Sequence, residues 1–78
     1  MRRGLTARGF PERLRSLRQE RDLTQTELGA LVKLHYTHIG RYEKGKARPS
    51  RKSLDRLAEV LGVTSEVLLY GEDGPPPP

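Results

Sequence analysis

Apolar positions recur three or four residues apart from Phe10 onward, the spacing that gathers side chains on one face of an α-helix. Phe10, Leu14 and Leu17 predict a first helix over 10–21, with Pro11 in the first turn, where its missing N–H costs nothing. Arg13, Arg15, Arg18 and Glu20 are expected to face mostly outward. The second start is sharper. Thr24 followed by Glu27 forms a capping box, and Leu23 and Leu28 occupy the two positions of a hydrophobic staple. A second helix therefore begins at Gln25, buries Leu28, Leu31 and Val32, and ends near Val32 or Lys33. The apolar phase resets at Leu34. Ile39 and Tyr42 open a third period, a helix over 36–44 weakly capped by His35 and closed by Gly45, leaving a turn of about three residues between helices two and three. Ser50 caps a fourth helix whose Leu54, Leu57, Ala58 and Leu61 form one stripe ending at Gly62. Thr64 caps a short fifth over 65–70, which stops at Gly71.

Strand-like runs are absent, so the pattern predicts an all-α, compact five-helix bundle. A chain of 78 residues holds one domain with a single small core. The domain spans 10–71. Residues 1–9 are basic, contain two glycines and show no sustained period, which reads as a flexible arm. Residues 72–78 end in four prolines and read as an extended, solvated tail or the start of a linker, open to a proline-binding partner.

Charge changes the picture through its placement. The formal net charge is +5. Residues 1–21 carry seven arginines against Glu12 and Glu20, and residues 33–52 carry seven Lys or Arg against Glu43 alone. After Ser53 the balance inverts, with Arg56 facing Asp55, Glu59, Glu66, Glu72 and Asp73. Such sorting predicts one basic face, as expected of a protein that meets a polyanion with one side. No cysteine is present, which excludes disulfides, zinc fingers of the cysteine type and thiol nucleophiles. The plain expectation is an intracellular, cytoplasmic, nucleoid-associated setting. No apolar run follows Met1-Arg2-Arg3, so neither an export signal nor a membrane helix is expected.

Residue identity adds more than helix count does. Gly29 is the fifth residue from Gln25, where helices two and three would cross and a bulky side chain would hold them apart. With Ile39 and Tyr42 turned inward, Tyr36, Thr37, Gly40 and Arg41 occupy the outer face of helix three. That face can form hydrogen bonds and carries no carboxylate.

The stretch LTQTELGALV, then HYTHIGRYEKGKARPS, then LDRLAEVLGVTSEVLLYG resembles the Cro and phage-repressor type of helix-turn-helix, the XRE-like family, over about residues 10–71. The resemblance implies a lambda-repressor-like fold whose helices two and three form the helix-turn-helix. It implies sequence-specific binding of double-stranded DNA by a transcriptional regulator, most simply a repressor, with helix three in the major groove. By the same carry-over, Tyr36, Thr37 and Arg41 would contact bases, Arg41 as a bidentate partner of guanine O6 and N7. Arg18, Gln25, His38, Lys44, Lys46 and Arg48 would contact the DNA backbone, Gln25 helped by the positive end of its helix dipole. Gly29, Ile39 and Glu43 would be structural, with Glu43 pairing to Arg18 between helix one and the end of helix three. One departure concerns the turn. The family usually carries glycine where this chain has Lys33, which implies either a non-glycine residue at positive φ or a turn built differently. His38 and Gly40 on helix three are the second departure, since glycine weakens a helix interior by about 1 kcal/mol relative to alanine. Close approach to DNA would account for the glycine.

One recognition helix reads too few base pairs to select a genomic site, so a homodimer on a palindromic operator is expected, with Val67, Leu69 and Tyr70 of helix five as its contact. An enzyme would need a base, nucleophile or metal cluster. The candidates are His35 and His38, which have no third ligand at suitable spacing, so no cofactor and no metal is expected. Two readings within reach of the same fold remain: an antitoxin-like protein-interaction module, and a restriction-modification controller. Single-strand binding would call for more exposed aromatics beside the basic patch than Tyr36.

Overall fold

The computed structural model describes residues 9–71. The expected arm, except Gly9, and the expected tail lie outside the described residues. Five helices follow in order: α1 Phe10–Glu20, α2 Gln25–Val32, α3 Tyr36–Glu43, α4 Arg51–Leu61 and α5 Ser65–Tyr70. Among the described residues there is no strand, and no helix is long and apolar enough to cross a membrane.

The starts are made by the anticipated residues. Thr24 Oγ1 accepts the Glu27 N–H at 3.0 Å while Glu27 Oε1 accepts the Thr24 N–H at 2.9 Å, the reciprocal pair that satisfies donors the helix leaves free. Ser50 Oγ accepts from Ser53 and Thr64 Oγ1 from Val67 at the starts of α4 and α5. Four helix ends close with one hydrogen-bond pattern, in which a left-handed residue folds the next N–H back onto a carbonyl of the last turn. It runs Leu23 N–H to Arg18 O, Leu34 N–H to Gly29 O, Lys46 N–H to Arg41 O and Val63 N–H to Ala58 O. Glycine supplies the left-handed residue at Gly45 and Gly62, but Asp22 (φ 55°) and Lys33 (φ 59°) supply it after α1 and α2. Lys33 thus takes the strained form of the turn rather than a rebuilt one, at about 1 kcal/mol.

The core is built from Leu14, Leu17, Leu28, Val32, Ile39, Tyr42, Leu54, Leu57, Ala58, Leu61 and Leu68, with Leu23 and Leu34 packed against its edge. α2 and α3 share the most extensive contact, α1 lies against α3 and α5, and α4 joins α2 to α5. Two expectations are corrected. Leu31 is 57% exposed. The buried face of α2 is centred between Leu28, Gly29 and Val32, and at 100° per residue Leu31 falls roughly a third of a turn away from it. Of the arginines expected to face outward, Arg18 is half-buried and Arg13 is 2% exposed. Its Nε and Nη2 donate to the Leu68 and Leu69 carbonyl oxygens at 2.9 and 2.8 Å, so a cation from α1 caps the carbonyl end of α5.

Candidate nucleic-acid interface

Gly29 sets the angle between α2 and α3. A Cβ placed there would lie 2.5 Å from the Leu34 carbonyl oxygen and 3.4 Å from the Tyr36 nitrogen. The close neighbour is the backbone of the turn itself, not a side chain of α3, so glycine lets the turn fold flat onto α2. α3 then presents two faces. Ile39 and Tyr42 are buried, while Tyr36, Thr37, His38 and Arg41 are exposed.

Glu43, the one acidic residue of α3, does not reach the outer face. Its side chain is 4% exposed and that of Arg18 is 11% exposed. Arg18 Nε and Nη2 donate to Glu43 Oε2 and Oε1 at 2.6 and 3.0 Å, and Nη1 donates to the Leu23 carbonyl oxygen at 2.7 Å. Gln25 Nε2 adds a bond to Glu43 Oε1 at 3.2 Å. The carboxylate therefore ties α1, the start of α2 and the end of α3 together, and its charge is neutralised where it sits.

What remains toward solvent is a shallow groove of about 510 Å³ lined by Gln25, Tyr36, Thr37, Gly40, Arg41, Lys44 and Lys46. Three cations and no carboxylate line it. Gly40 forms part of its floor, and a Cβ there would stand 3.5 Å from Gln25 Oε1, an ordinary contact. Packing does not demand glycine at that point.

The remaining candidate residues fall elsewhere. His38 is exposed on α3 outside the groove, with its ring 6.4 Å from that of Tyr42. Arg48 lines a second groove, with Phe10, Pro11, Pro49, Leu69 and Tyr70. In helix α5, Leu68 belongs to the core, Val67 and Leu69 are half-buried and Tyr70 is 46% exposed. Beside that second groove Arg51 is engaged with Asp55 at 3.1 Å and Glu66 at 3.2 Å. The cap expected at His35 is present, and its ring makes a second contact that was not expected. Its Nδ1 accepts the Thr37 N–H and lies 2.9 Å from Thr37 Oγ1, a link legible only as a histidine two residues before a threonine at a helix start.

The helix-turn-helix family model matches residues 14–68, from the middle of α1 to α5. The chain belongs to the helix-turn-helix family. The SPbeta prophage-derived uncharacterized HTH-type transcriptional regulator YonR of Bacillus subtilis is 36% identical over 62 residues, which cover 80% of this chain and 57% of that regulator. Among solved structures, the helix-turn-helix chain resembles the P22 c2 repressor in complex with synthetic operator 9T, with a TM-score of 0.81 and 26% identity over 85% of this chain and all of that one. It also resembles the restriction-modification controller protein C.AhdI of Aeromonas hydrophila, with a TM-score of 0.72 and 32% identity over 77% of this chain and 91% of that one.

Proposed function

We propose that this helix-turn-helix chain is a sequence-specific, double-stranded DNA-binding regulator of transcription that lays α3 in the major groove. The observation that carries the reading is the sorting of charge on α3. Glu43 is turned inward and neutralised by Arg18, so the charged residues lining the groove, Arg41, Lys44 and Lys46, are all cations. Arg41 offers two N–H groups to guanine O6 and N7, and Tyr36 and Thr37 face neighbouring bases. Gln25 brings the positive end of α2 to a phosphate, and Lys44, Lys46, Arg48 and His38 hold the backbone on either side. Gly40 leaves room for a base edge to approach the floor of the groove. Arg18, whose guanidinium is occupied by Glu43 and the Leu23 carbonyl, acts first by holding α3, with any phosphate contact made in addition to those bonds.

The chemistry is binding, not catalysis, and calls for no cofactor. Its place is the cytoplasm, with the DNA. Two copies bind a palindromic operator through half-sites about 10 base pairs apart, meeting through Val67, Leu69 and Tyr70. The likeness to the P22 c2 repressor supports repression by occupying the site. The likeness to C.AhdI, which extends over most of that chain, supports a second reading within the same class, control of a restriction-modification system.

Selection of bound duplexes from a random pool, followed by salt titration on the winner, tests this. The expected result is a palindromic consensus bound with a log–log salt slope of magnitude about 4 to 8, a similar number of phosphates being neutralised. No enrichment at low salt, or a flat salt profile, would overturn it.

A further inference from the structure

The residue before α3 settles more than where the helix begins. His35 Nδ1 receives the Thr37 backbone N–H at 3.3 Å and stands 2.9 Å from Thr37 Oγ1. Its ring lies against that of Tyr36, with centroids 4.5 Å apart and planes 33° apart. An imidazole nitrogen either carries a proton and donates or lacks one and accepts. A protonated Nδ1 would point its hydrogen at the Thr37 N–H, donor against donor. The backbone N–H therefore requires Nδ1 to be the acceptor, with the ring proton on Nε2. With Nδ1 unprotonated, the Thr37 hydroxyl is the donor in the 2.9 Å contact, its hydrogen sharing the one Nδ1 lone pair with the longer Thr37 N–H bond. A hydroxyl has one hydrogen and two lone pairs, so Thr37 is left with acceptor capacity only on its exposed side.

We propose that His35 presets Thr37 as a hydrogen-bond acceptor, so that α3 selects, at the base Thr37 faces, an exocyclic amino group and rejects a keto oxygen. The inference rests on α3 being the base-reading helix and adds the polarity of one of its readers. In the major groove the amino donors are adenine N6 and cytosine N4, while guanine O6 and thymine O4 are acceptors. A serine or threonine with a free hydroxyl accepts either kind. One held by His35 does not. His35 is thus a positioning residue that determines specificity without touching DNA.

The test compares base preference, which loss of a helix cap alone does not change. Duplexes are selected from a random pool with the wild-type chain and with Thr37→Val, which keeps the shape and removes the hydroxyl. The position whose preference disappears in Thr37→Val should favour adenine or cytosine over guanine or thymine on the contacted strand. Replacing that adenine by purine, or that cytosine by 2-pyrimidinone, deletes the amino group and tells the two sources apart. For the base present, wild-type affinity should fall about three- to tenfold, the scale of one net hydrogen bond, and that of Thr37→Val should not change. His35→Phe keeps a ring against Tyr36 but frees the hydroxyl, so keto bases should become acceptable there, whatever the drop in overall affinity. His35→Asn, whose side-chain oxygen accepts as a helix cap does, should restore the amino preference. A keto preference at the Thr37 position, an amino preference unmoved by His35→Phe, or a Thr37→Val pool identical to wild type would each overturn the proposal while leaving sequence-specific binding through Arg41 intact. If the wild-type chain enriches no sequence at all, the DNA-reading assignment falls first, and this one with it.

Discussion

Arg13 and Arg18 leave the same helix five residues apart and are both drawn out of solvent, yet they meet opposite kinds of partner. Arg13 turns to the far end of the bundle and caps the Leu68 and Leu69 carbonyls of α5, neutral groups with only partial negative charge. Arg18 turns to the groove end and grips a full carboxylate, Glu43, with two parallel bonds. Burial lowers the basicity of Arg13 from the ordinary arginine value, with Glu12 opposing the shift, though a guanidinium remains protonated. The first arrangement closes the domain. The second does so too, but it also removes from the groove face the one negative charge that α3 carries. A stability clasp and an electrostatic filter are made from the same residue type, and the partner decides which.

Breaking the two clasps separately should separate the two roles. Arg13→Met leaves buried carbonyls without a donor and should cost the most, about 2 to 4 kcal/mol in a denaturant or thermal melt, while the protein that remains folded keeps its DNA preference. Glu43→Gln keeps the shape but leaves the Arg18 guanidinium without its countercharge. It should cost about 1 to 3 kcal/mol, below the loss for a fully buried pair, because both side chains retain a little solvent access. Unlike Arg13→Met it should also blunt discrimination between preferred and random DNA in folded protein, since α3 loses its anchor. Equal effects of the two variants on DNA preference would erase the distinction between the clasps.

A smaller test lies at the start of α2, on the groove side. The Thr24 backbone N–H, and then the Thr24 side chain, hold the exposed Glu27 carboxyl below its ordinary value. A carboxyl lowered in the folded state adds stability above its unfolded pKa and gives it up as pH falls through the folded one. Wild type should therefore melt above Glu27→Gln near neutral pH, and the gap should close in acid, below the ordinary carboxylate range. A gap that stays constant with pH would mean that the charge of Glu27 contributes nothing to the cap.

The sequence reveals the parts of this domain that follow from local rules. Helix starts at Thr24, Ser50 and Thr64 and the ends at Gly45 and Gly62 are chemical signals confined to four or five residues. The end near Lys33 was legible in the reset of the apolar phase at Leu34 but its positive φ only through the family pattern, and the positive φ at Asp22 carried no signal, because neither residue type demands that conformation as glycine does. Leu31 was misplaced for a related reason: on a helix of eight residues, three apolar positions do not fix the centre of the buried face. Arg13 was misread because an arginine on an amphipathic helix normally stays solvated. Only the docking of α5, 55 residues later in the chain, supplies the carbonyls that draw it in. The groove residues were legible as a set and so was the cap at His35, while the contact of its ring with the Thr37 hydroxyl depends on a side-chain rotamer, which spacing does not encode.

The central claim is that α3 reads bases through Arg41 while the lysines beside it hold the backbone, and the ratio of affinities for preferred and random DNA measures this directly. With both variants confirmed as folded by circular dichroism, Arg41→Ala should lose about 1 to 3 kcal/mol on the preferred site and little on random duplex, relaxing preference at one base pair. Lys46→Ala should weaken both DNAs by a similar factor and reduce the salt slope by about one per subunit. If Arg41→Ala instead lowered both affinities equally and left the sequence preference intact, α3 would not be reading DNA through Arg41, and the account of this face would be contradicted.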